Sequence, residues 1–202
     1  MKQQICKIGK KIYDKGFAPG TSGNISCKVN GKILLTPSGS CLGELTEQDI
    51  ITTDLEGNLL NGKKKPSSEK FMHFEIYKKR PDINCIIHAH PPKSTALAVM
   101  GKDLNTPLIA EAIVILGEIP LVQYETPSTR ELAELVAECF IKNDAALMAN
   151  HGATVCGKEL NETFHKLETL EFLSEISIIT ELAGRKNEIP PEKIPELLKL
   201  RH

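Results

Sequence analysis

His88 and His90, one residue apart, are the feature of this sequence best suited to chemistry. They close an apolar run, residues 84–88, that predicts a short buried strand, and side chains at i and i+2 of a strand point to the same face. Both imidazoles can therefore reach one metal ion. A catalytic zinc site needs three protein ligands and an open position. His151, which follows a second apolar run at 145–149, is the candidate third ligand; otherwise these are ordinary hydrogen-bonded histidines.

Three short loops rich in glycine and hydroxyl groups form a second candidate site. Glycines let backbone N–H groups approach an oxyanion, hydroxyls donate further hydrogen bonds, and a helix N-terminus favours negative charge. Together the loops are typical of a phosphate cradle, whereas each alone reads as a turn, a loop or a helix cap. They are Gly20-Thr-Ser-Gly-Asn-Ile-Ser26, Thr36-Pro-Ser-Gly39 and Pro66-Ser-Ser-Glu69.

Glu69 is placed in the first turn of a predicted helix, where the helix dipole stabilises a carboxylate. If Glu69 also faces the metal, it can act as a base on carbon next to a polarised carbonyl. His73 lies four residues later on the same helix face, either orienting Glu69 or serving as a satisfied buried histidine. His165 and His202 are weaker candidates without partners in view.

The remaining elements predict an α/β layered domain with a largely antiparallel sheet. Isoleucines at helical spacing predict a first helix over residues 1–15, and Asn30-Gly31 between two β-prone runs predicts a two-residue hairpin. The same patterns predict helices over 67–77, 94–100, 128–141 and 160–182, with Ser67 opening the first and a Ser128–Glu131 capping box opening the third. Strands are predicted at 50–54, 110–116, 120–124 and 145–149.

Composition excludes several classes of protein. The chain has 202 residues, 41% of them apolar and 25% charged, which fits one globular domain over residues 1–202. A net charge of −1 provides no general attraction for nucleic acid or an anionic membrane. No apolar run is long enough to span a bilayer, and no signal peptide is visible. The six cysteines form no CxxC pair, so we expect reduced thiols in a cytoplasmic protein.

As an ordered set, these motifs resemble the class II aldolase/adducin family, most closely its L-fuculose-phosphate aldolase branch. The likeness covers about residues 5–185 and includes Thr129-Arg-Glu-Leu132 and His151-Gly152. It implies a three-layer α/β domain with a central, mainly antiparallel sheet flanked by helices. It further implies a C4 homotetramer with active sites at subunit contacts, and one Zn²⁺ per subunit held by His88, His90 and His151. Glu69 belongs to the same implied metal site, as a zinc ligand in the absence of substrate and as the catalytic acid/base. The implied phosphate site consists of Gly23, Asn24, Ser38, Gly39, Ser67 and Ser68.

The resemblance implies cleavage of a ketose 1-phosphate, such as L-fuculose 1-phosphate, to dihydroxyacetone phosphate and an aldehyde such as lactaldehyde. Three departures concern the aldehyde end of the pocket: Glu111 and Pro127 stand where the fuculose enzyme has aromatic residues, and no tyrosine follows Tyr124. Glu111 then either supplies a carboxyl group to the pocket or is structural. Protonation of the leaving aldehyde oxygen needs a donor other than a C-terminal tyrosine.

Three alternatives stay open within the superfamily. The first is a methylthioribulose-1-phosphate dehydratase, or an aldolase for another deoxypentulose phosphate. The second is a sugar-phosphate 4-epimerase, although an epimerase is expected to carry Asp at position 69. The third is a non-catalytic adducin-like module, which the presence of all three histidines and Glu69 argues against.

Overall fold

The structure, a computed structural model, describes residues 1–201, over which the chain forms an eight-stranded sheet and seven α-helices. The strands are β1 (Asn24–Val29), β2 (Lys32–Leu35), β3 (Ile51–Thr53), β4 (Leu59–Asn61), β5 (Cys85–Ala89), β6 (Leu121–Val122), β7 (Ala145–Met148) and β8 (Gly152–Gly157). The helices are α1 (Lys2–Asp14), α2 (Lys70–Lys79), α3 (Pro92–Val99), α4 (Ala110–Leu116), α5 (Arg130–Cys139), α6 (Leu160–Leu182) and α7 (Ile194–Leu198). Short 3₁₀ helices occupy Leu42–Glu44 and Pro191–Lys193.

The sheet has the strand order β4-β3-β2-β1-β5-β8-β7-β6. Every neighbouring pair is antiparallel except β6 and β7, so the predicted, mainly antiparallel sheet is confirmed. Strands β1, β5, β8 and β7 lie side by side at its centre, and the candidate metal ligands come from the ends of these central strands.

Helices cover both faces of the sheet, as expected for a three-layer domain. One core cluster joins residues of α1, α3, α4 and α6 to one face, and the other joins α2 and α5 to the opposite face. Successive side chains of β5 point to opposite faces of the sheet. Cys85 and Ile87 therefore belong to the first cluster, whereas Ile86 belongs to the second. Helices therefore cover the central strands on both faces.

Two local predictions at the N-terminal end are confirmed. The face of α1 that carries Ile5, Ile8 and Ile12 is buried. Asn30 and Gly31 have φ values of 49° and 74°, and they join β1 to β2 in an antiparallel hairpin. Positive φ at both central positions is the geometry of a type I′ turn, which Asn-Gly adopts at little steric cost.

The strand predicted at residues 110–116 is wrong, because this segment is helix α4. A short apolar run does not distinguish a strand from a buried helix, and its burial shows helical spacing. Ala112 and Leu116, four residues apart, are the buried residues, while Glu111 is exposed. Gly117 ends the helix with a φ of 68°.

Two predicted helix starts lie too early. Helix α2 begins at Lys70 with Glu69 as its N-cap, and the Ser67 hydroxyl oxygen accepts a hydrogen bond from the Glu69 N–H before the helix starts. Helix α5 begins after Thr129, whose side chain accepts a hydrogen bond from the Leu132 N–H. The Ser128–Glu131 capping box is therefore wrong: Ser128 has a φ of 69° and lies outside the helix.

All six cysteines are free in the structure, and the reduced state of their thiols stays a prediction. Within residues 1–201, none of the helices combines the length and the apolar character that a bilayer crossing would require.

Candidate metal and carboxylate site

Three imidazole rings meet where β5 ends and β8 begins. His88 lies in β5, His90 directly follows that strand, and His151 lies in the turn between β7 and β8. The ring of His88 has centroid distances of 4.9 Å to His90 and 4.7 Å to His151. One ring nitrogen of each histidine lies within 4.8 Å of the others. The structure thus brings together the three predicted metal ligands.

The hydrogen bonds of His88 determine which of its nitrogens faces the cluster. Its Nδ1 lies 3.0 Å from the carbonyl oxygen of Ala153, which can only accept, so we assign the proton to Nδ1. The Nε2 lone pair then points towards the other two rings. Burial lowers the pKa of His88 to about 3, so the ring is neutral at physiological pH. This neutral tautomer is the form that binds a metal.

A tight turn between β7 and β8 places His151. Asn150 adopts a left-handed conformation with a φ of 54°, which reverses the chain before His151. A Cβ at Gly152 would lie 2.6 Å from the carbonyl oxygen of Ala89 and 2.6 Å from Cδ2 of His90. Only glycine therefore permits the start of β8 to pack so closely against the end of β5, and this close packing brings His151 to His90.

Glu69 faces the three rings from the start of α2. Its Oε2 lies 3.2 Å from Nε2 of His88, and its Oε1 lies 3.2 Å from Nε2 of His151. Oε2 also accepts a 2.9 Å hydrogen bond from Nδ2 of Asn24. Burial acts to raise the pKa of Glu69, but His88, His151 and Asn24 outweigh that effect and hold the pKa below its ordinary value. Glu69 is therefore ionised at neutral pH.

The unsatisfied polar atoms of this cluster fit a divalent metal. Within residues 1–201, Oε1 of Glu69 and Nδ1 of His151 are buried without a hydrogen-bond partner. Nε2 of His90 lies 3.0 Å from Nε2 of His88, so a proton or a cation has to separate the two nitrogens. Neutral imidazoles and a carboxylate are ligands that zinc and related ions prefer. The cluster of His88, His90 and His151 could therefore hold a metal beside an ionised carboxylate.

The loops predicted to bind phosphate are held beside one another by backbone contacts. The Ser38 N–H donates to the carbonyl oxygen of Lys65 at 2.9 Å, and Pro37 forms a bridge with Pro66. Ser38, Gly39 and Ser68 are exposed, Gly23 is half-buried, and Asn24 and Ser67 are buried. The structure brings Ser38 next to the segment that precedes α2, and Asn24 next to Glu69. Phosphate binding by these residues stays a prediction.

Two buried polar groups beside the site were missed or only partly anticipated from sequence. The ring nitrogens of His73 are hydrogen-bonded to Asn24 and Ser26, so its link to Glu69 runs through Asn24. The spacing of Glu69 and His73 was the only available signal. Glu171 on α6 accepts hydrogen bonds from the N–H groups of Lys93 and Ser94 at the start of α3, shortly after His90. No sequence motif indicated this contact.

The other candidate residues lie elsewhere in the structure. Glu111 lines a surface pocket with Glu168, Thr169 and Phe172 on α6, away from the imidazole cluster. Pro127 is exposed just before α5, and His165 is an exposed residue of α6. His202 lies outside the described residues. Within this chain, the predicted contribution of Glu111 to the active-site pocket is therefore not seen.

Comparison with known proteins identifies the family. A family model described as Class II Aldolase and Adducin N-terminal domain matches residues 3–178. An L-fuculose phosphate aldolase of Methanocaldococcus jannaschii is 40% identical over 184 residues, covering 91% of this chain and 99% of the relative. A 3-oxo-tetronate 4-phosphate decarboxylase of Escherichia coli is 34% identical, covering 89% of this chain and 86% of the relative.

A solved structure of L-fuculose 1-phosphate aldolase superposes with a TM-score of 0.91 at 33% identity, covering 98% of this chain and 94% of the solved chain. The agreement of family model, relatives and fold extends over nearly the whole chain. This chain therefore belongs to the class II aldolase/adducin family and is a metal-dependent aldolase of the carbon–carbon lyase class.

Proposed function

We propose that this enzyme reversibly cleaves a ketose 1-phosphate, L-fuculose 1-phosphate or a related deoxyketose phosphate, to dihydroxyacetone phosphate and an aldehyde such as lactaldehyde. One Zn²⁺ per subunit, held by His88, His90 and His151, would supply Lewis-acid polarisation of the substrate carbonyl. Residues 1–202 would act as one catalytic domain. The family, the relatives named above and the geometry of the imidazole cluster support this function.

In this proposal Glu69 moves the proton at carbon. When the C3–C4 bond of the ketose breaks, the C4 hydroxyl loses a proton and C3 gains one, so the net reaction transfers a proton from oxygen to carbon. Glu69 is the group that returns a proton to C3 in cleavage and removes it in condensation. A second group has to handle the proton on the aldehyde oxygen, and the chain offers no tyrosine after Tyr124 for that role.

One observation carries the proposal: the half-buried Glu69 carboxylate has each of its two oxygens 3.2 Å from the Nε2 atom of a different cluster histidine. A carboxylate whose only purpose was to begin α2 would be satisfied by backbone N–H groups. Instead, Oε1 accepts no hydrogen bond from residues 1–201. This geometry supports the proposal that Glu69 acts as the acid/base group towards a substrate bound at the three imidazoles.

We further propose that the clustered loops bind the substrate phosphate through Gly23, Asn24, Ser38, Gly39, Ser67 and Ser68. Gly39 has a φ of 69° in an open, exposed stretch, where a backbone N–H can reach an anion. Ser68 lies at the start of α2, whose N-terminal end favours negative charge. The loops therefore supply hydroxyl and N–H donors close to Glu69.

The test is incubation of zinc-loaded enzyme with L-fuculose 1-phosphate, with dihydroxyacetone phosphate detected by an NADH-consuming reduction. Glu69→Gln keeps the size of the side chain but removes its acid/base function, and we expect a loss of about 10²- to 10⁴-fold in kcat. Glu56→Gln, in the exposed turn between β3 and β4, is the matched control and should retain activity. Zinc-loaded enzyme that binds metal but cleaves no ketose 1-phosphate would contradict the proposal.

A second candidate is decarboxylation of a phosphorylated 3-oxo acid, which the relationship to the Escherichia coli decarboxylase favours. Decarboxylation also breaks a carbon–carbon bond next to a polarised carbonyl, with CO₂ leaving in place of the aldehyde. Glu69 would again return a proton to carbon. Release of CO₂ from a 3-oxo-tetronate 4-phosphate, without cleavage of L-fuculose 1-phosphate, would favour this reaction.

We also propose a homotetramer acting in the cytoplasm. Large apolar side chains are exposed along α6, where Phe172 is 52%, Ile179 53% and Leu182 84% accessible, which suits contact with a second copy. Six free cysteines suit a reducing compartment. Light scattering of the purified enzyme should give four times the chain mass of 22.2 kDa; a monomer would contradict the tetramer.

A further inference from the structure

A buried chain of hydrogen bonds runs from the core between α2 and β1 to the Glu69 carboxylate. Nδ2 of Asn24 donates to Glu69 at 2.9 Å, and Oδ1 of Asn24 lies 2.5 Å from Nε2 of His73. Nδ1 of His73 lies 2.6 Å from the Ser26 hydroxyl, which is 2.9 Å from the hydroxyl of Tyr77. We infer that His73 is a positioning residue that holds the Asn24 amide with its N–H end towards Glu69.

The direction of every hydrogen bond in this chain follows from the carboxylate. Ionised Glu69 can only accept, so the Asn24 amide has to present nitrogen to Glu69 and oxygen to His73. His73 must then carry its proton on Nε2, which leaves Nδ1 to accept from the Ser26 hydroxyl. With its own proton given to His73, the Ser26 hydroxyl can only accept, and Tyr77 donates to it at 2.9 Å. The Tyr77 proton also faces a second, more distant acceptor, the carbonyl oxygen of Asn84 at 3.2 Å. Only one orientation of the Asn24 side-chain amide is therefore compatible with all of these hydrogen bonds.

Burial makes this orientation hard to replace. His73 and Ser26 are fully buried, Asn24 is 4% exposed and Tyr77 2% exposed. Water cannot substitute for a lost partner at such a position, so a flipped Asn24 amide would leave two acceptors facing each other at Glu69. Burial also lowers the pKa of His73 to about 4, which keeps the ring in its neutral form at physiological pH.

Through Asn24, this series of hydrogen bonds also connects the imidazole cluster with the proposed phosphate site. Asn24 pairs with His88 across β1 and β5, so the same residue lies beside a candidate metal ligand. Its Nδ2 has a second hydrogen, which under the proposed phosphate site is directed to substrate. Misplacing Asn24 should therefore disturb Glu69 and substrate binding together, whereas loosening the core elsewhere should not. This inference rests on the proposed acid/base role of Glu69.

Two substitutions of His73 separate positioning from packing. In His73→Gln the side-chain amide nitrogen can take the place of Nε2 and still donate to Asn24. In His73→Asn the shorter amide can reach only Ser26. We expect His73→Asn to lower kcat by about 10- to 100-fold at equal folding and equal zinc content, the usual range for a residue that orients an active-site group, and His73→Gln to restore most of that loss. Equal kcat in wild type and both variants, or equal losses in both variants, would overturn the inference.

A second measurement does not depend on catalysis or on the folding of a variant. Nitrogen-15 NMR of the wild-type imidazoles, with and without zinc, reports which ring nitrogen of His73 carries the proton. We expect protonated Nε2 and unprotonated Nδ1 near neutral pH. The opposite tautomer, or a doubly protonated ring, would overturn the inference even if the aldolase reaction is found. An enzyme inactive on every ketose phosphate, but with the expected tautomer, would contradict only the proposed function.

Discussion

Glu69 and Asp144 are two carboxylates surrounded by basic groups near opposite ends of the central strands. Asp144, just before β7, accepts hydrogen bonds from Arg80 at 3.1 Å, from Lys166 at 3.1 Å and from Arg201 at 2.6 Å. Glu69, near the other end, faces imidazoles. The partners of Asp144 are two arginines and a lysine, and they occupy both of its oxygens, whereas Glu69 faces imidazole rings and, within residues 1–201, keeps one oxygen without a hydrogen bond.

The difference shows how a structural cluster is distinguished from a functional one. Burial acts to raise the pKa of Asp144, but Lys166, Arg201 and Arg80 outweigh it and lower the pKa. Its charge is balanced within the chain. The cluster around Glu69 has lone pairs and a negative charge without a matching cation, since burial keeps His88 neutral. Such a cluster becomes balanced when a metal cation binds.

The largest expected effect comes from removing one ligand of the imidazole cluster. His88→Ala should lower metal affinity by more than about 100-fold, because even residues that only orient metal ligands contribute 10- to 100-fold. Activity should be lost with the metal. Metal content by mass spectrometry and cleavage activity measure both effects. Asp144→Asn is the matched control, and a loss of zinc there would break the distinction between the two clusters.

Removing Asp144 should affect stability instead of chemistry. Asp144→Ala leaves three partly buried cations without their acceptor, and we expect a loss of about 3–5 kcal/mol in the free energy of unfolding. Urea denaturation measures this loss. Activity per folded molecule should equal that of the wild type. A stable Asp144→Ala variant with reduced kcat would show that the two ends of the sheet are functionally coupled.

The two regions should also respond to acid in different pH ranges. The pKa of His73 is about 4 in the folded protein against an ordinary value of 6.5, so between these values the unfolded chain binds a proton that the folded chain does not. The free energy of unfolding of metal-free enzyme should therefore fall as pH decreases from about 6.5 to about 4, by about 3 kcal/mol from His73.

Asp144, with its lowered pKa, keeps its charge over that range and loses its contribution only below its ordinary value of 3.8. Chemical denaturation at a series of pH values measures both ranges. His73→Gln should make the fall over the first range smaller by the share of His73 and leave the second range unchanged. The remaining fall comes from His88 and His90, because burial lowers the pKa of these imidazoles as well. A stability that stays constant between pH 6.5 and 4 would contradict a neutral, buried His73.

A smaller effect is expected from adding metal to the purified metal-free enzyme. Zinc at 100 times its Kd should stabilise the fold by about 2.7 kcal/mol, which corresponds to a rise of about 5–10 °C in Tm for a chain of this size. Calorimetry measures the shift. Asp144→Asn should show the same rise and His88→Ala none. A rise in His88→Ala equal to that of the wild type would place the metal elsewhere.

Local sequence patterns predicted much of the fold and the identities of the clustered residues. The Asn30-Gly31 turn, the buried face of α1 and the spacing of His88 and His90 depend on neighbouring residues, so backbone preferences and side-chain periodicity were sufficient. The same patterns failed at 110–116, where a short apolar run is compatible with a strand or a helix. In the structure this segment is helix α4, which packs against α6 and α7.

Other features depend on residues far apart in the chain. Glu69, His88 and His151 meet because β5 pairs with β8 and because Gly152 lacks a side chain that would push the strands apart. The protonation of His73 follows from Asn24, a residue 49 positions away. By itself the sequence determined which groups are available for chemistry and the local turns and helices. Only the tertiary structure decided which of those groups are buried together, and burial sets their protonation and their need for a cation.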